Sequence, residues 1–313
     1  MNPQSSALAP HAALVVVQLV FGTWPIFGKI VLRTIPSTGL VAFRIAGAAA
    51  AFLLLSRLSG RLVVPARRDL ARFALYSLLG VVVNQLLFTK GLELSTATNA
   101  ALLGTSIPVV TLLVGALLGF ERFSGRAALG TAIAAAGVVY LIDPFAAELT
   151  GDRTLGNLLL VANTVAYGAY LALTQDTFRR YGALNAMTWV FLFGCVAALP
   201  VGTYNLAQAP IGEADAAVWL ALAWIIIGPT VGAYYLNAWA LERVAPSTVA
   251  IYVYLQPLIA YALAPLVLGS EEGWNARTLP ATLLIFAGVA VVTWRSRSRV
   301  LVEVSERPDA PAR

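Results

Sequence analysis

Polar side chains stand inside the long apolar runs of this chain, and they recur at helical spacing. Gln18, Gly22, Pro25 and Lys29 fall at i, i+4, i+7 and i+11, one stripe along a helix. Thr164, Gly168 and Gln175 repeat that stripe further on, with Asn163, Tyr167, Tyr170 and Thr174 beside it. Asn99, Leu103 and Ser106 share a face, answered by Thr248, Tyr252 and Gln256. Asn84 and Gln85 sit mid-run, where they cannot both face away from the interior. Amides, hydroxyls and phenols of this kind can hold a small polar solute, but they make and break no bonds. Groups that would do so are absent from the sequence. The single histidine is His11, and the single cysteine, Cys195, has no partner. No phosphate loop, metal cluster or nucleophile–base arrangement is present. The expectation is a protein that is not an enzyme, needs no cofactor or metal, and is not by itself an ATP-driven pump.

The elements that must position these stripes follow from composition. Hydrophobic residues make up 59% of the 313 positions and charged residues 12%, with a mean hydropathy of +0.79. A soluble domain needs about 25% charged residues to cover its surface. This chain can cover only a surface that faces lipid. Apolar blocks separated by short polar clusters predict spans at 11–32, 38–58, 70–91, 97–118, 124–142, 155–178, 184–204, 216–239, 246–268 and 279–295. Helices are the expected element, because lipid offers no partner to a free backbone group. A barrel would alternate every second residue; Leu158-Leu159-Leu160-Val161 does not. The first block is not read as a cleavable signal, since residues 1–10 carry no Lys or Arg. Lone Cys195 reads as a small buried hydrophobe.

The net charge of +6 reports topology rather than nucleic acid binding, because the basic residues flank the spans. With the N-terminus inside, thirteen of them fall in cytoplasmic segments, from Arg57 and Arg61 to Arg299. Four fall outside: Arg33, Lys90, Arg153 and Arg277. Both termini are therefore expected in the cytoplasm, which requires an even number of spans.

The two halves also resemble each other. Leu92, Glu93, Ala101 and Pro108 fall on Leu241, Glu242, Ala250 and Pro257 at a constant offset of 149. Gly22 answers Gly168 at an offset of 146. Residues 11–143 and 155–295 read as two copies of a five-helix unit, with 296–313 a cytoplasmic tail. Five is odd, so the second copy enters from the opposite side. Glu93 then belongs at the outer face and Glu242 at the inner one. Inverted repeats are a carrier architecture.

The residues carry a family resemblance as well. Phe21-Gly22-Thr23-Trp24-Pro25-Ile26-Phe27-Gly28-Lys29 is similar to the first-span signature of the drug/metabolite transporter superfamily, EamA type. Phe21 stands where that family usually has Trp. Arg44 follows a Phe, as is common there, and Asn84-Gln85…Gly91-Leu92-Glu93…Thr96-Ala97…Asn99-Ala100…Pro108…Glu121-Arg122 resembles its most recognisable stretch. The resemblance implies an all-α integral membrane fold. It implies ten transmembrane helices as two inverted repeats around a cavity lined by helices 1, 3, 4, 6, 8 and 9. It also implies export of metabolites or amino acids.

Candidate solute contacts are Gln18, Trp24, Asn84, Asn99, Ser106, Asn163, Tyr167, Tyr170, Tyr235, Tyr252 and Gln256. Gly22, Pro25, Pro108, Gly228, Pro229 and Pro257 are candidates for hinge or shape. Bland readings stand beside these. Gly22 permits close helix approach, Ser106 and Thr248 can bond their own backbone, and Lys29 can snorkel. Arg44 reads as a packing residue ahead of an anion-holding one. The expected partners are a small-molecule solute and the lipid bilayer, for a monomer of the bacterial inner (plasma) membrane. A multidrug or cationic-compound exporter is the nearest rival, and a membrane enzyme or structural protein the rival from another class. No Asp or Glu stands well inside a span, so facilitated diffusion is the expected energetics.

Overall fold

Each apolar run folds as a helix, which satisfies its own N–H and C=O groups where lipid cannot. The computed structural model describes residues 3–119, 151–269 and 276–293, and isolated positions between 125 and 140. Among the described residues there are nine long helical runs and no strand. They are α1 (Pro3–Val31), α2 (Ser37–Leu58), α3 (Arg67–Leu94), α4 (Ala97–Leu117), α5 (Asp152–Tyr181), α6 (Ala183–Ala207), α7 (Ala216–Leu241), α8 (Pro246–Leu268) and α9 (Thr278–Thr293). The first eight are long and apolar enough to cross a membrane, and α9 carries a shorter apolar stretch. Helices α5 to α9 are the sixth to tenth spans of the sequence. The fifth, 124–142, lies largely outside the described residues, and the tail 296–313 wholly so.

Several helices outrun the apolar runs that predict them. α3 begins at Arg67 rather than 70, and α5 continues to Tyr181 rather than 178. Hydropathy marks the hydrocarbon core, whereas a helix continues into the interface until a capping or turn residue stops it. Gly182, at φ 77°, makes that stop between α5 and α6. Thr96 starts α4 by accepting the Asn99 N–H at 3.0 Å, and Asp215 starts α7 by accepting that of Val218 at 2.9 Å. Outward-facing side chains are apolar: Leu266 is 82% exposed and Leu220 71%.

Four interruptions break the helical ladder, and they correspond between the halves. A π-helical turn occupies Leu78–Val83 in α3 and another Ile226–Gly232 in α7. α4 is broken at Thr105–Ser106, and α8 passes through a 3₁₀ turn at Tyr252–Leu255. Pro108 and Pro257 follow these breaks near the start of the next helical segment, where a missing N–H costs nothing. Pro229 lies inside the π turn of α7, where freed carbonyls accept other partners.

The helices pack at small residues. α2 and α6 run antiparallel in close contact, where a β-carbon on Gly202 would lie 2.3 Å from Cβ of Ala42. Elsewhere contacts are exchanged between the halves. Gly22 of α1 faces Ile259 of α8, and Gly168 of α5 faces Val110 of α4, with an added β-carbon at 2.7 and 2.8 Å respectively. Both pairs run parallel: His11, Gln18 and Gly22 meet Tyr252, Gln256 and Ile259 in order, as Asn99 and Val110 meet Asn157 and Gly168.

Candidate functional site

The bundle centre is organised around Tyr234. Its hydroxyl lies 3.1 Å from the Gly80 carbonyl and 3.1 Å from Asn84 Oδ1, and its one proton can serve only one of them at a time. Gly80 belongs to the π turn of α3, and a β-carbon there would sit 2.3 Å from the Tyr170 ring. Tyr170 stacks on Tyr167 with centroids 5.5 Å apart, and Tyr167 meets the Tyr234 ring edge-on at 6.4 Å. Asn237 donates to the Tyr167 hydroxyl at 2.9 Å, and Asn163 donates to the Asn84 backbone carbonyl at 2.8 Å. Four expected contacts, Asn84, Asn163, Tyr167 and Tyr170, are thus joined in one buried network spanning α3, α5 and α7.

A second group lies where α1, α4 and α8 meet. Gln256 Nε2 donates to Gln18 Oε1 at 2.6 Å, and the Tyr252 hydroxyl lies 2.8 Å from His11 Nδ1. Ser106 stands at the break of α4 with its hydroxyl buried and unbonded, unlike Thr105 and Thr111, which bond carbonyls of their own helix. Gly104 faces the Gln256 amide across the gap, an added β-carbon lying 3.9 Å from Oε1. Asn99 is not brought to this group. It bonds Asn157 at 3.2 Å and Ser95 at 3.4 Å, near the end of the bundle where α4 begins.

Trp24 is elsewhere again, stacked on Phe88 at 5.7 Å beneath the Arg44 guanidinium. Tyr235 lies outside the centre, in a recess of about 350 Å³ at the predicted cytoplasmic end, with Trp239, Glu242 and Arg61. The sequence suggests a break at Gly228-Pro229 and Gly232 with Tyr235 below it, and the structure puts its neighbour Tyr234, not Tyr235, at the centre. Tyr234 and Asn237 are the contacts that regular spacing misses. The Gly228-Pro229 and Gly232 break is legible in the sequence, but it does not say which face of α7 turns inward.

The two ends of the bundle are tied unequally. At the predicted cytoplasmic end Glu242 accepts a hydrogen bond from the Ala183 N–H at the start of α6. Arg179 Nε donates to the Glu242 carbonyl at 2.9 Å, and Gln175 donates to the carbonyls of Leu241 and Val244 at 3.1 and 2.8 Å. Buried Asp69, nearby, accepts from Tyr181 at 2.8 Å and pairs with Arg180 at 3.3 Å. Glu93, the equivalent of Glu242, pairs instead with Lys90 of its own helix at 3.1 Å, and both are partly exposed.

A bundle with an apolar outer surface and amides and phenols packed inside defines a multi-pass integral membrane protein. The chain belongs to the EamA-like transporter family, whose model matches residues 10–142 and again 154–294. It is 24% identical over 284 residues to an uncharacterized transporter of Archaeoglobus fulgidus, covering 90% of this chain and 96% of that one. It is 22% identical over 292 residues to the uncharacterized transporter YetK of Bacillus subtilis, covering 91% and 84%. The WAT1-related protein At3g18200 of Arabidopsis thaliana is 25% identical over 276 residues, covering 77% and 70%. A solved crystal structure superposes with a TM-score of 0.63 at 20% identity, over 95% of this chain and 99% of the other, a likeness of fold alone.

Proposed function

We propose that this transporter exports small metabolites or amino acids by alternating access, with the solute held near the midplane between halves 11–143 and 155–295. The observation that carries this reading is the unequal use of equivalent glutamates. Two halves of similar sequence can exchange roles, and a state closed at one end must break their symmetry. Glu242 tied to α6, against Glu93 paired within its own helix, is that asymmetry. It corresponds to a state closed toward the cytoplasm. A multidrug or cationic exporter fits less well. A cation calls for a carboxylate in the cavity, and among the described residues the mid-span charge is the guanidinium of Arg44.

Purified protein in liposomes, loaded with unlabelled amino acids and tested with the labelled solute outside, measures exchange directly. Saturable exchange is expected. Net uptake is expected to reach equilibrium and to be unchanged by an imposed pH difference at constant membrane potential, since no carboxylate stands mid-span among the described residues. Accumulation above equilibrium driven by that pH difference would show proton coupling instead.

The orientation proposed here places both termini, the 59–66 turn and the 296–313 tail in the cytoplasm of a bacterial-type cell. In a Cys195→Ser background, an impermeant thiol reagent on intact cells is expected to label Gln208→Cys and spare Arg61→Cys, both positions being exposed. The reverse pattern inverts the topology.

A further inference from the structure

Arg44 is 2% exposed in the middle of α2. Among the described residues its guanidinium makes one hydrogen bond, Nε to Thr230 Oγ1 at 3.0 Å. It also lies 4.1 Å from the centroid of the Trp24 ring. A guanidinium carries five N–H donors in a rigid fork, so the four on its terminal nitrogens have no acceptor among the described residues. No carboxylate among the described residues is within ion-pair distance. The acids on neighbouring α3 and α7 are at helix ends and already engaged: Asp69 with Arg180 and Tyr181, Glu93 with Lys90, Glu242 with the Ala183 N–H. A buried charge is costly unless paired and hydrogen-bonded. A ring face and one hydroxyl offset only part of that cost.

Gln85 is the second incomplete group in the same region. It is 1% exposed, and neither amide atom makes a hydrogen bond of good geometry, its one polar neighbour being the Tyr234 hydroxyl. It stands beside Tyr234 and one helical turn before Phe88, the residue on which Trp24 stacks. Trp24 therefore bridges the Arg44 guanidinium and the face of α3 that bears Gln85. Both π turns converge here too. Thr230 belongs to the one in α7, where its own proton goes to the Ile225 carbonyl at 2.7 Å, leaving a lone pair for Arg44. Gln85 follows the one in α3 by two residues. Such turns are frequent at functional sites, because they free backbone groups and re-aim side chains.

We infer that Arg44 and Gln85 bind the carboxylate of the transported solute, with Trp24 and Tyr234 flanking it. Carboxylate geometry suits the fork of terminal nitrogens, which can donate two parallel bonds, and the Gln85 amide can donate a third. One guanidinium balances a monoanion, so the class is a small monocarboxylate or zwitterion rather than a phosphate dianion. This deepens the transporter reading and rests on it.

The test uses the full chain, purified and reconstituted, with leucine, phenylalanine and tryptophan as probes and their carboxamides as matched controls. Binding is followed by thermal shift, and transport by exchange. Wild-type protein is expected to bind at least one acid and to bind its carboxamide at least about tenfold more weakly. Gln85→Leu removes a buried amide whose one polar neighbour is the Tyr234 hydroxyl, so its thermal midpoint without ligand is expected to change little. Its affinity for the acid is expected to fall about tenfold. Arg44→Lys is expected to weaken the acid further, and where it fails to fold, Gln85→Leu alone decides. Equal binding of acid and carboxamide, or full affinity in Gln85→Leu, overturns the proposal while transport by the wild type leaves the transporter reading standing. A wild-type protein that neither binds nor exchanges any probe overturns the proposal, and exchange of uncharged metabolites by that same preparation would still support the broader reading.

Discussion

Glu242→Ala is expected to open the end of the bundle that the proposed orientation puts at the cytoplasm. The wild-type carboxylate accepts the N–H of Ala183, one of the donors that a helix start leaves unsatisfied. Its second oxygen is held by Arg243 at 2.8 Å. A hydrogen bond to a charged group contributes about 1.5–3 kcal/mol. Its loss moves an equilibrium between closed and open ends by about tenfold to somewhat over a hundredfold, at 1.4 kcal/mol per factor of ten. The readout is the rate at which an impermeant maleimide labels Tyr235→Cys from the cytoplasmic side, in a Cys195→Ser background. Tyr235 lines the same recess as Glu242 and Ala183, so parting that contact is expected to raise the rate by about ten times or more. Glu93→Ala is the control. Its Lys90 pair is partly exposed, and pairs of that kind are worth about 0–1 kcal/mol. An unchanged rate in Glu242→Ala, or an equal rise in Glu93→Ala, would remove the latch and with it the support for an asymmetric state.

Gly202→Val is expected to leave little folded protein in the membrane. α2 and α6 touch backbone to backbone there, and the first carbon of any side chain would lie 2.3 Å from Cβ of Ala42 and 2.8 Å from the Thr38 carbonyl oxygen. Neither is the end of a flexible side chain that can turn away. Helices in lipid associate through close packing at small residues rather than through a hydrophobic force, so separating this pair removes what holds it. Inserting extra carbons into a packed interior costs about 1–3 kcal/mol, and three carbons against backbone belong at or above the top of that range. Net stabilities are only about 5–15 kcal/mol. Size-exclusion profiles of a fluorescent fusion measure the folded fraction, and the neighbouring Val201→Leu, on a half-exposed lipid-facing position, should leave it intact. A monodisperse Gly202→Val peak of wild-type height would mean that α6 can stand away from α2 at no cost.

Much of the candidate site was legible before any coordinates. Asn163, Tyr167 and Tyr170 recur at helical spacing in an otherwise apolar span, and the structure joins them to Asn84 and Tyr234. Gln18 and Gln256 stand on stripes matched to other helices, Gln18 to Thr164 and Gly168 and Gln256 to Asn99 and Ser106, and the structure bonds the two to each other. Other residues were misplaced for identifiable reasons. Asn99 shares a helical face with Ser106, but those two are separated along the helix and by the break at Thr105–Ser106. The nearer neighbours Asn157 and Ser95 claim its amide. Tyr235, read as lying below the break of α7, lines the recess beside Trp239 and Glu242, and its neighbour Tyr234 faces the centre.

Composition and pattern alone determined that this chain lives in lipid as helices, because no other element satisfies its backbone there. They also determined the correspondence of the halves, since equivalent packing positions need equivalent residues, Gly22 and Gly168 among them. Tertiary structure decided which polar side chains meet across helices, where the π turns interrupt the ladder, and which glutamate bonds to a neighbouring helix. A period reports the face a residue shares. It carries no information about the distance to the next helix, and hydrogen bonds and ion pairs are decided within a few ångströms of that distance.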